Sequence, residues 1–330
     1  MQPDEFFAPR ILIVAGKGGV GKTTVAAALA LAAARRGRKV CVAEVDQKGT
    51  LARLLGGAHT GYEPVQLTSG VWGVNILPED ALAEYLEVQY HMKRISRVFT
   101  STHFVDYIAT AAPGLKDILV LGKIWYLEKG RSTGIHHDFD TIILDAPAAG
   151  HMLTFLSAPM GLSDAVRVGP IHRQASWLRE MIQDPTRTRV HLVTNPEEMP
   201  VAETLETSEQ LHDHLGLHSG VVFANAVYDE LFTGDELEMV EALLEAGDHD
   251  DIYKCAEDVG LRLEPEDVNA MLSYARFLIA RRSIQARHLR VLRRGVTEQI
   301  VELPFLFSAG LELPDVENLA DRIEEAIGAV

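Results

Sequence analysis

The stretch Gly16-Lys17-Gly18-Gly19-Val20-Gly21-Lys22-Thr23-Thr24 decides the fold, because it connects two regular elements through a glycine-rich turn. The apolar run Ile11–Ala15 before it predicts a buried strand, and the alanine-rich segment Thr23–Arg36 after it predicts a helix. Glycines let backbone N–H groups close around a phosphate without Cβ clashes, and the positive end of the helix faces that anion. The turn is therefore predicted to hold a nucleoside triphosphate.

The turn matches the phosphate-binding motif G-x-x-x-x-G-K-[ST] in full, in the strand–helix context that the motif requires. Lys22 is predicted to reach the β- and γ-phosphates, and Thr23 to hold Mg²⁺. The absence of an Asn-Lys-x-Asp guanine motif favours ATP over GTP. The predicted nucleotide-binding residues of this turn are Gly18, Gly19, Val20, Gly21, Lys22, Thr23 and Thr24.

Short apolar runs followed by helical patterns recur along the rest of the chain, as expected for a parallel sheet covered on both faces. We expect an α/β fold, a doubly wound and mostly parallel sheet of the P-loop NTPase kind, in a single domain over residues 1–330. A helical insert is predicted at 79–130 and a helical C-terminal elaboration at 235–295. The other predicted strands are Lys39–Val45, Thr141–Leu144, Val190–Thr194, Val221–Ala224 and Ile300–Leu303, and the clearest further helices are Val201–Leu215 and Asp315–Ile327.

The bulk composition limits the classes of function. The chain has 330 residues, with 31 Lys and Arg against 47 Asp and Glu, for a formal net charge of −16. This charge argues against non-specific nucleic-acid binding, which needs a positive surface. The two cysteines, Cys41 and Cys255, make neither a disulfide framework nor a four-thiolate zinc site within the chain. They favour a reducing compartment, and with no basic signal-peptide region at the N-terminus we expect a cytoplasmic protein.

Two carboxylates follow predicted strands, at the sheet edge where ligands of α/β proteins bind. Asp46 is predicted to end the second strand and to orient the attacking water or help hold Mg²⁺. Glu44 competes for that role but is expected to lie deeper in the strand. Asp145 is predicted to end the strand Thr141–Leu144 and to bind Mg²⁺, and the segment Ala146–His151 is expected to be a loop that senses the γ-phosphate. The alternatives are a helix cap for Asp46 and a turn residue for Asp145.

Lys17 adds a second lysine directly after the first glycine of the loop. This arrangement resembles the deviant Walker A motif of partition ATPases, nitrogenase iron protein and anion-transporting ATPases. In those proteins the lysine crosses a dimer interface to the partner's nucleotide, and the resemblance implies the same catalytic role for Lys17. The alternative is an exposed loop lysine.

Together these residues resemble the arsenite-pump and tail-anchored-protein-targeting ATPase family, and are most similar to its half-length bacterial members. Asp46-Gln47-Lys48-Gly49 occupies the place of the family's switch I, and Asp145-Ala146-Pro147-Ala148-Ala149-Gly150-His151 resembles its switch II. The resemblance implies that Asp46 is the base or water-positioner, that Glu197 and Asn225 contact the nucleotide, and that Pro304-Phe305 covers the base.

The chain also departs from that family. It lacks the zinc-binding Cys-x-x-Cys, the three thiolates for arsenite and the methionine-rich insert after switch II, so the cargo stays open. Switch I lacks its proline and histidine, and Ala149 stands where the family has threonine, which would slow hydrolysis or alter switching. The resemblance implies a homodimer or a heterodimer with a related ATPase chain.

The leading hypothesis is an ATP-hydrolysing dimeric switch that captures or releases a protein or membrane-associated partner. The alternatives are a partition or septum-positioning ATPase, weakened by the acidic helix Asp315–Ile327, and a nucleotide-gated scaffold with little hydrolysis. The arginine-rich segment Arg276–Arg294 is either a docking face for an acidic protein or anionic membrane, or a solvated surface helix, which we favour. The insert residues Tyr85, Val88, Met92, Ile95 and Val98 form either a cargo surface or packing between insert helices.

Overall fold

The computed structural model describes residues 3–45, 49–90, 114–130, 138–232, 234–246 and 249–328. Its strands are β1 (Ile11–Gly16), β2 (Val40–Glu44), β3 (Val65–Thr68), β4 (Val71–Asn75), β5 (Thr141–Ala148), β6 (Thr188–Thr194), β7 (Ser219–Val227) and β8 (Ile300–Pro304). Its helices are α1 (Pro3–Phe6), α2 (Lys22–Arg35), α3 (Thr50–Leu54), α4 (Pro78–Tyr90), α5 (Leu115–Lys129), α6 (Ala149–Ala165), α7 (Pro170–Gln183), α8 (Glu198–Asp213), α9 (Asp235–Glu245), α10 (Asp250–Asp258), α11 (Pro265–Gly295) and α12 (Leu313–Gly328).

The eight strands form one sheet in the order β3-β4-β2-β5-β1-β6-β7-β8. All neighbouring strands are parallel except β3 and β4, which are antiparallel. The predicted mostly parallel α/β sheet is confirmed, as are the six strands expected from the apolar runs. The hairpin of β3 and β4 at the sheet edge was not predicted, because its strands are only four and five residues long.

Both faces of the sheet are covered, as uninterrupted apolar strands require. Leu12 and Val14 of β1 point into a core formed with α2, α3 and α12, where α2 is buried from Val25 to Ala33. Ile11 and Ile13 point to the opposite face, into a core formed with α5, α6, α7 and α8. The central strand β1 is buried over its whole length, so the turn that follows it starts from a fixed position.

Helices α4 and α5 lie between β4 and β5, and α9, α10 and α11 lie between β7 and β8. The segment joining α4 to α5, which includes Met92, Ile95 and Val98, lies outside the described residues. The status of 79–130 as an insert and of 235–295 as an elaboration stays a prediction. Within the described ranges, no helix has both the length and the apolar character needed to cross a lipid bilayer.

Candidate nucleotide-binding site

The glycine-rich turn leads from the carboxyl end of β1 into α2, and two of its glycines have no room for a side chain. A Cβ on Gly16 would lie 2.2 Å from the Val193 carbonyl oxygen on the neighbouring strand β6. Gly21 has a φ of +91°, and a Cβ there would lie 2.3 Å from Nδ2 of Asn225. The turn therefore needs glycine at both positions, for close approach and for left-handed backbone.

The turn presents the amino end of a long helix. Gly21 precedes α2, and the N–H of Val25 makes the first helical hydrogen bond, to the carbonyl of Gly21, at 2.9 Å. The N–H groups of the first turn thus have no partner inside the helix, and the helix dipole adds positive potential there. The Lys22 ammonium donates to the Lys17 carbonyl at 3.1 Å, so its side chain lies over the turn. This arrangement suits a polyphosphate anion.

Thr23 and Asp145, predicted to share a magnesium ion, lie together. The Thr23 hydroxyl donates to Oδ2 of Asp145 at 2.6 Å, across 122 residues of sequence. A hydroxyl and a carboxylate are the hard oxygen ligands that Mg²⁺ prefers, and the ion usually takes its other ligands from phosphates and water. The described residues contain no cluster of three or more His, Cys, Asp or Glu side chains, so a dedicated all-protein cage is not seen there. The pair fits Mg²⁺ bound together with a nucleotide.

Glu44 lies at the same end of the sheet as Asp145. β2 ends at Glu44 instead of continuing to Val45, and Glu44 pairs in register with Asp145 of β5. The expectation that Glu44 lies deeper than Asp46 stays a prediction, because Asp46 is outside the described residues. Its side chain is buried, Oε1 accepts from the N–H of Thr50 at 3.2 Å, and Oε2 has no hydrogen-bond partner among the described residues. Burial, together with the neighbouring charge of Asp145, raises the pKa of the Glu44 carboxyl. Asp46 itself lies outside the described residues.

The segment after Asp145 is more regular than expected. β5 continues to Ala148, and α6 begins at Ala149, so the predicted loop Ala146–His151 is divided between a strand and a helix. The parallel pairing of Gly16 with Ala148 holds this strand end beside the glycine-rich turn. A change at the turn would therefore pass directly into α6.

Lys17 is held by its own chain. Its ammonium forms an ion pair with Oε1 of Glu203 on α8 at 2.5 Å, and both side chains are about one-third exposed. The two residues border an open cleft of about 430 Å³ that Gly18 and Gly150 also line. Lys17 thus points toward α8, at a cleft that the end of β5 and the start of α6 also line.

The Asn225 side chain also holds the turn in place, since its Nδ2 donates to the carbonyl of Val20 at 2.9 Å. Phe305 stacks on Tyr228, with ring centroids 4.6 Å apart and planes inclined by 12°. Pro304 is the last residue of β8. Glu197 directly precedes α8 and lies 3.9 Å from Arg281 of α11.

The structure thus brings Thr23, Asp145 and Asn225 to the turn. Their contacts with a nucleotide, and those of Glu197, Pro304 and Phe305, stay predictions. The sequence analysis gave no role to Glu203 or Tyr228. For Tyr228, the available signal was that an aromatic residue lies three positions after Asn225 in the sequence. Glu203 lies 186 residues from Lys17, and no local pattern connects the two.

Comparisons with known proteins agree with this geometry. Residues 9–176 match the model of the anion-transporting ATPase family. The chain is 36% identical over 220 residues to ATPase BagA of Mycobacterium tuberculosis, with 63% of each chain covered. It is 24% identical over 236 residues to the arsenical pump-driving ATPase of Escherichia coli, covering 66% of this chain and 40% of that protein. The match thus spans less than two thirds of the length of these relatives.

Proposed function

Because this chain belongs to the anion-transporting ATPase family, we propose that it binds ATP with Mg²⁺ and hydrolyses the β–γ phosphoanhydride bond. The observation that carries the proposal is the hydrogen bond between Thr23 and Asp145 at the amino end of α2, next to the glycine-rich turn. Phosphoryl transfer depends mainly on positioning and on charge stabilisation, and this arrangement supplies both.

Each side chain has a distinct task in this proposal. Lys22 binds the β- and γ-phosphates, while the N–H groups of the turn hold the triphosphate tail. Thr23 and Asp145 hold Mg²⁺, which neutralises charge on the phosphate oxygens when bound. Asp46 orients the attacking water. Phe305, supported by its stack on Tyr228, covers the adenine, with Asn225 and Glu197 as further contacts.

We further propose that the protein works as a dimer, in the cytoplasm, with Lys17 acting on the nucleotide of the opposite subunit. In the single chain the Lys17 ammonium is paired with the Glu203 carboxylate. When the dimer closes, this ammonium leaves Glu203 and pairs with a phosphate of the nucleotide in the opposite subunit. The second subunit is another copy or a related ATPase chain. Hydrolysis would then release a protein or membrane-associated partner through α6, which starts beside the turn.

Lys22→Ala tests the site. The variant should lose nearly all phosphate release and bind ATP much more weakly, because both the charge and the contact to the transferred phosphate disappear. The measurements are phosphate release and binding of a fluorescent ATP analogue, each with Mg²⁺. Lys254→Ala, which removes a lysine from the exposed face of α10, is the control and should behave as wild type. Full hydrolysis by Lys22→Ala would reject the assignment.

A scaffold that binds ATP and dimerises with little hydrolysis is the second candidate. It is favoured by the altered switch I, which lacks the family's proline and histidine. Tight ATP binding by the wild-type chain, with phosphate release no faster than in Lys22→Ala, would select this candidate over the ATPase.

A further inference from the structure

An apolar cavity lies apart from the glycine-rich turn and is lined mainly by residues of α4, α5, α6 and α7. Its volume is about 280 Å³, and its walls are almost entirely apolar. Ligand pockets share this character, with mostly apolar walls and a few polar groups that fix orientation. The principal apolar lining residues are Leu82, Leu115, Ile118, Leu119, Ala175 and Leu178.

Gly122 keeps the cavity open. It lies in the middle of α5, lines the cavity, and a Cβ built on it meets no atom within 4 Å. Glycine in the interior of a helix is destabilising relative to alanine, and here neither a turn nor a close contact requires it. The position is therefore one where a larger side chain would be compatible with the fold but would fill the empty space.

One wall of the cavity is polar. The Lys123 ammonium donates to Oε1 of Glu84 at 2.9 Å, and the Tyr62 hydroxyl donates to the other oxygen of Glu84. The Lys123 side chain is only 2% exposed, and its charge lies 4.1 Å from the centre of the Tyr62 ring. An ammonium has three N–H donors, and the bond to Glu84 uses one of them.

The charges at this wall disfavour an anionic ligand. Lys123 and Glu84 neutralise each other, and Asp80 lies close enough to interact with Lys123 as a second carboxylate. A buried anion next to this group would lack a free counter-charge. An uncharged molecule with a single acceptor avoids that cost.

A volume of about 280 Å³ with apolar walls suits a small molecule. A short alkyl chain or a small ring system does fit.

We propose that this cavity binds an uncharged apolar small molecule that carries one hydroxyl or carbonyl group. The polar group accepts a hydrogen bond from Lys123, and the apolar part lies along α5 and α7. Trp125 and Trp177 stack at the cavity wall, with centroids 5.4 Å apart, and report occupancy through their fluorescence. This site goes beyond the proposed ATPase and does not depend on it.

The test uses 1-octanol and octanoate as probes of the same chain length, added to the full-length protein without nucleotide. Tryptophan fluorescence and calorimetry should show saturable one-to-one binding of 1-octanol. Octanoate should bind at least roughly tenfold more weakly, since a buried carboxylate beside the Lys123–Glu84 pair finds no uncompensated positive charge. Equal binding of the two probes, or no saturable binding of 1-octanol, would overturn the proposal.

Gly122→Leu provides the structural test. It should abolish 1-octanol binding and leave the Tm equal or higher, because it fills the cavity and removes a glycine from a helix. Gly161→Leu is the matched control: it adds the same side chain to an exposed helical glycine of α6 that does not line the cavity, with no atom within 4 Å of its Cβ. Unchanged 1-octanol binding by a folded Gly122→Leu protein would place the probe elsewhere and refute the site.

Discussion

Glu44 shows how a single residue at the edge of a nucleotide site carries a cost to stability. Its carboxyl is buried, and one of its oxygens has no hydrogen-bond partner among the residues described. Asp145 lies opposite it in register on β5. Two acids at one sheet edge disfavour each other's charged forms, and a bound Mg²⁺ would relieve that repulsion. The same arrangement that suits a cation therefore destabilises the empty protein at neutral pH.

Glu44→Gln should stabilise the protein without Mg²⁺ or nucleotide, by an amount that grows with pH. Because the pKa of Glu44 is raised in the folded state, its contribution to stability is present below the unfolded pKa and is lost as pH rises through the folded pKa. Glutamine does not titrate and can still accept from the Thr50 N–H. Urea unfolding at about pH 5 and about pH 8 measures the effect.

The exposed Glu63→Gln removes the same charge from this strongly acidic chain and serves as the control. It separates the local effect of burial from the general effect of net charge. A Glu44→Gln protein whose advantage over wild type stays constant with pH, or matches that of Glu63→Gln, would contradict the explanation.

At the scale of elements, α11 is tied to the end of β7 that borders the nucleotide site. The Gln285 side chain accepts from the Tyr228 N–H and donates to the Ala226 carbonyl, both at 2.8 Å. Ala226 has a φ of +57°, so the strand end that follows Asn225 is in a strained conformation. The contacts of α11 thus support the strand end next to Asn225, which is bonded to the glycine-rich turn.

The arginines of α11 also bind locally. Four of the seven arginines between 276 and 294 contact neighbouring elements: Arg276 the Leu244 carbonyl, Arg281 Glu197, Arg282 Glu230, and Arg293 Glu302. This favours a surface helix with local ion pairs over a dedicated docking face. Surface pairs of this kind add little stability individually, which leaves Gln285 as the stronger link.

Gln285→Met should lower the free energy of unfolding by about 1–3 kcal/mol, because two buried backbone groups lose their partners while the side-chain volume is kept. It should also weaken ATP binding, since Asn225 lies directly before the released strand end. Ile284→Met changes the neighbouring exposed position and should alter stability by less than about 0.5 kcal/mol. Equal urea midpoints for the two variants would refute the role of Gln285.

The sequence predicted those elements whose local pattern is strong. Ile11–Ala15 and the glycine turn define the site, because apolar run, glycine spacing and helix start agree. The short strands β3 and β4 were missed, since four or five residues give too few positions to establish a period. The pairs Lys17–Glu203 and Gln285–Tyr228 were also missed. They join residues that come together only through the tertiary fold.

At the scale of the whole molecule, Lys17 raises the question of how many chains form one catalytic site. It lies in the glycine-rich turn, yet its charge is bound to Glu203 on α8. To act on a phosphate, in its own chain or in an opposite subunit, Lys17 must first leave Glu203.

Mixing Lys17→Ala and Lys22→Ala chains separates these two cases, because each variant alone should be inactive. In a mixed homodimer the Lys17→Ala subunit keeps Lys22 and receives Lys17 from its partner, which restores one complete site. Random pairing makes half of the dimers mixed, with one of two sites competent, so phosphate release should recover to about a quarter of the wild-type rate.

If Lys17 acted within its own chain, every site in the mixture would lack one lysine and no activity would return. If the physiological partner were a different chain, the wild-type protein would stay monomeric with ATP in sedimentation experiments, and mixing would restore nothing. Recovery of hydrolysis therefore requires both a dimer of identical chains and a lysine that crosses between them.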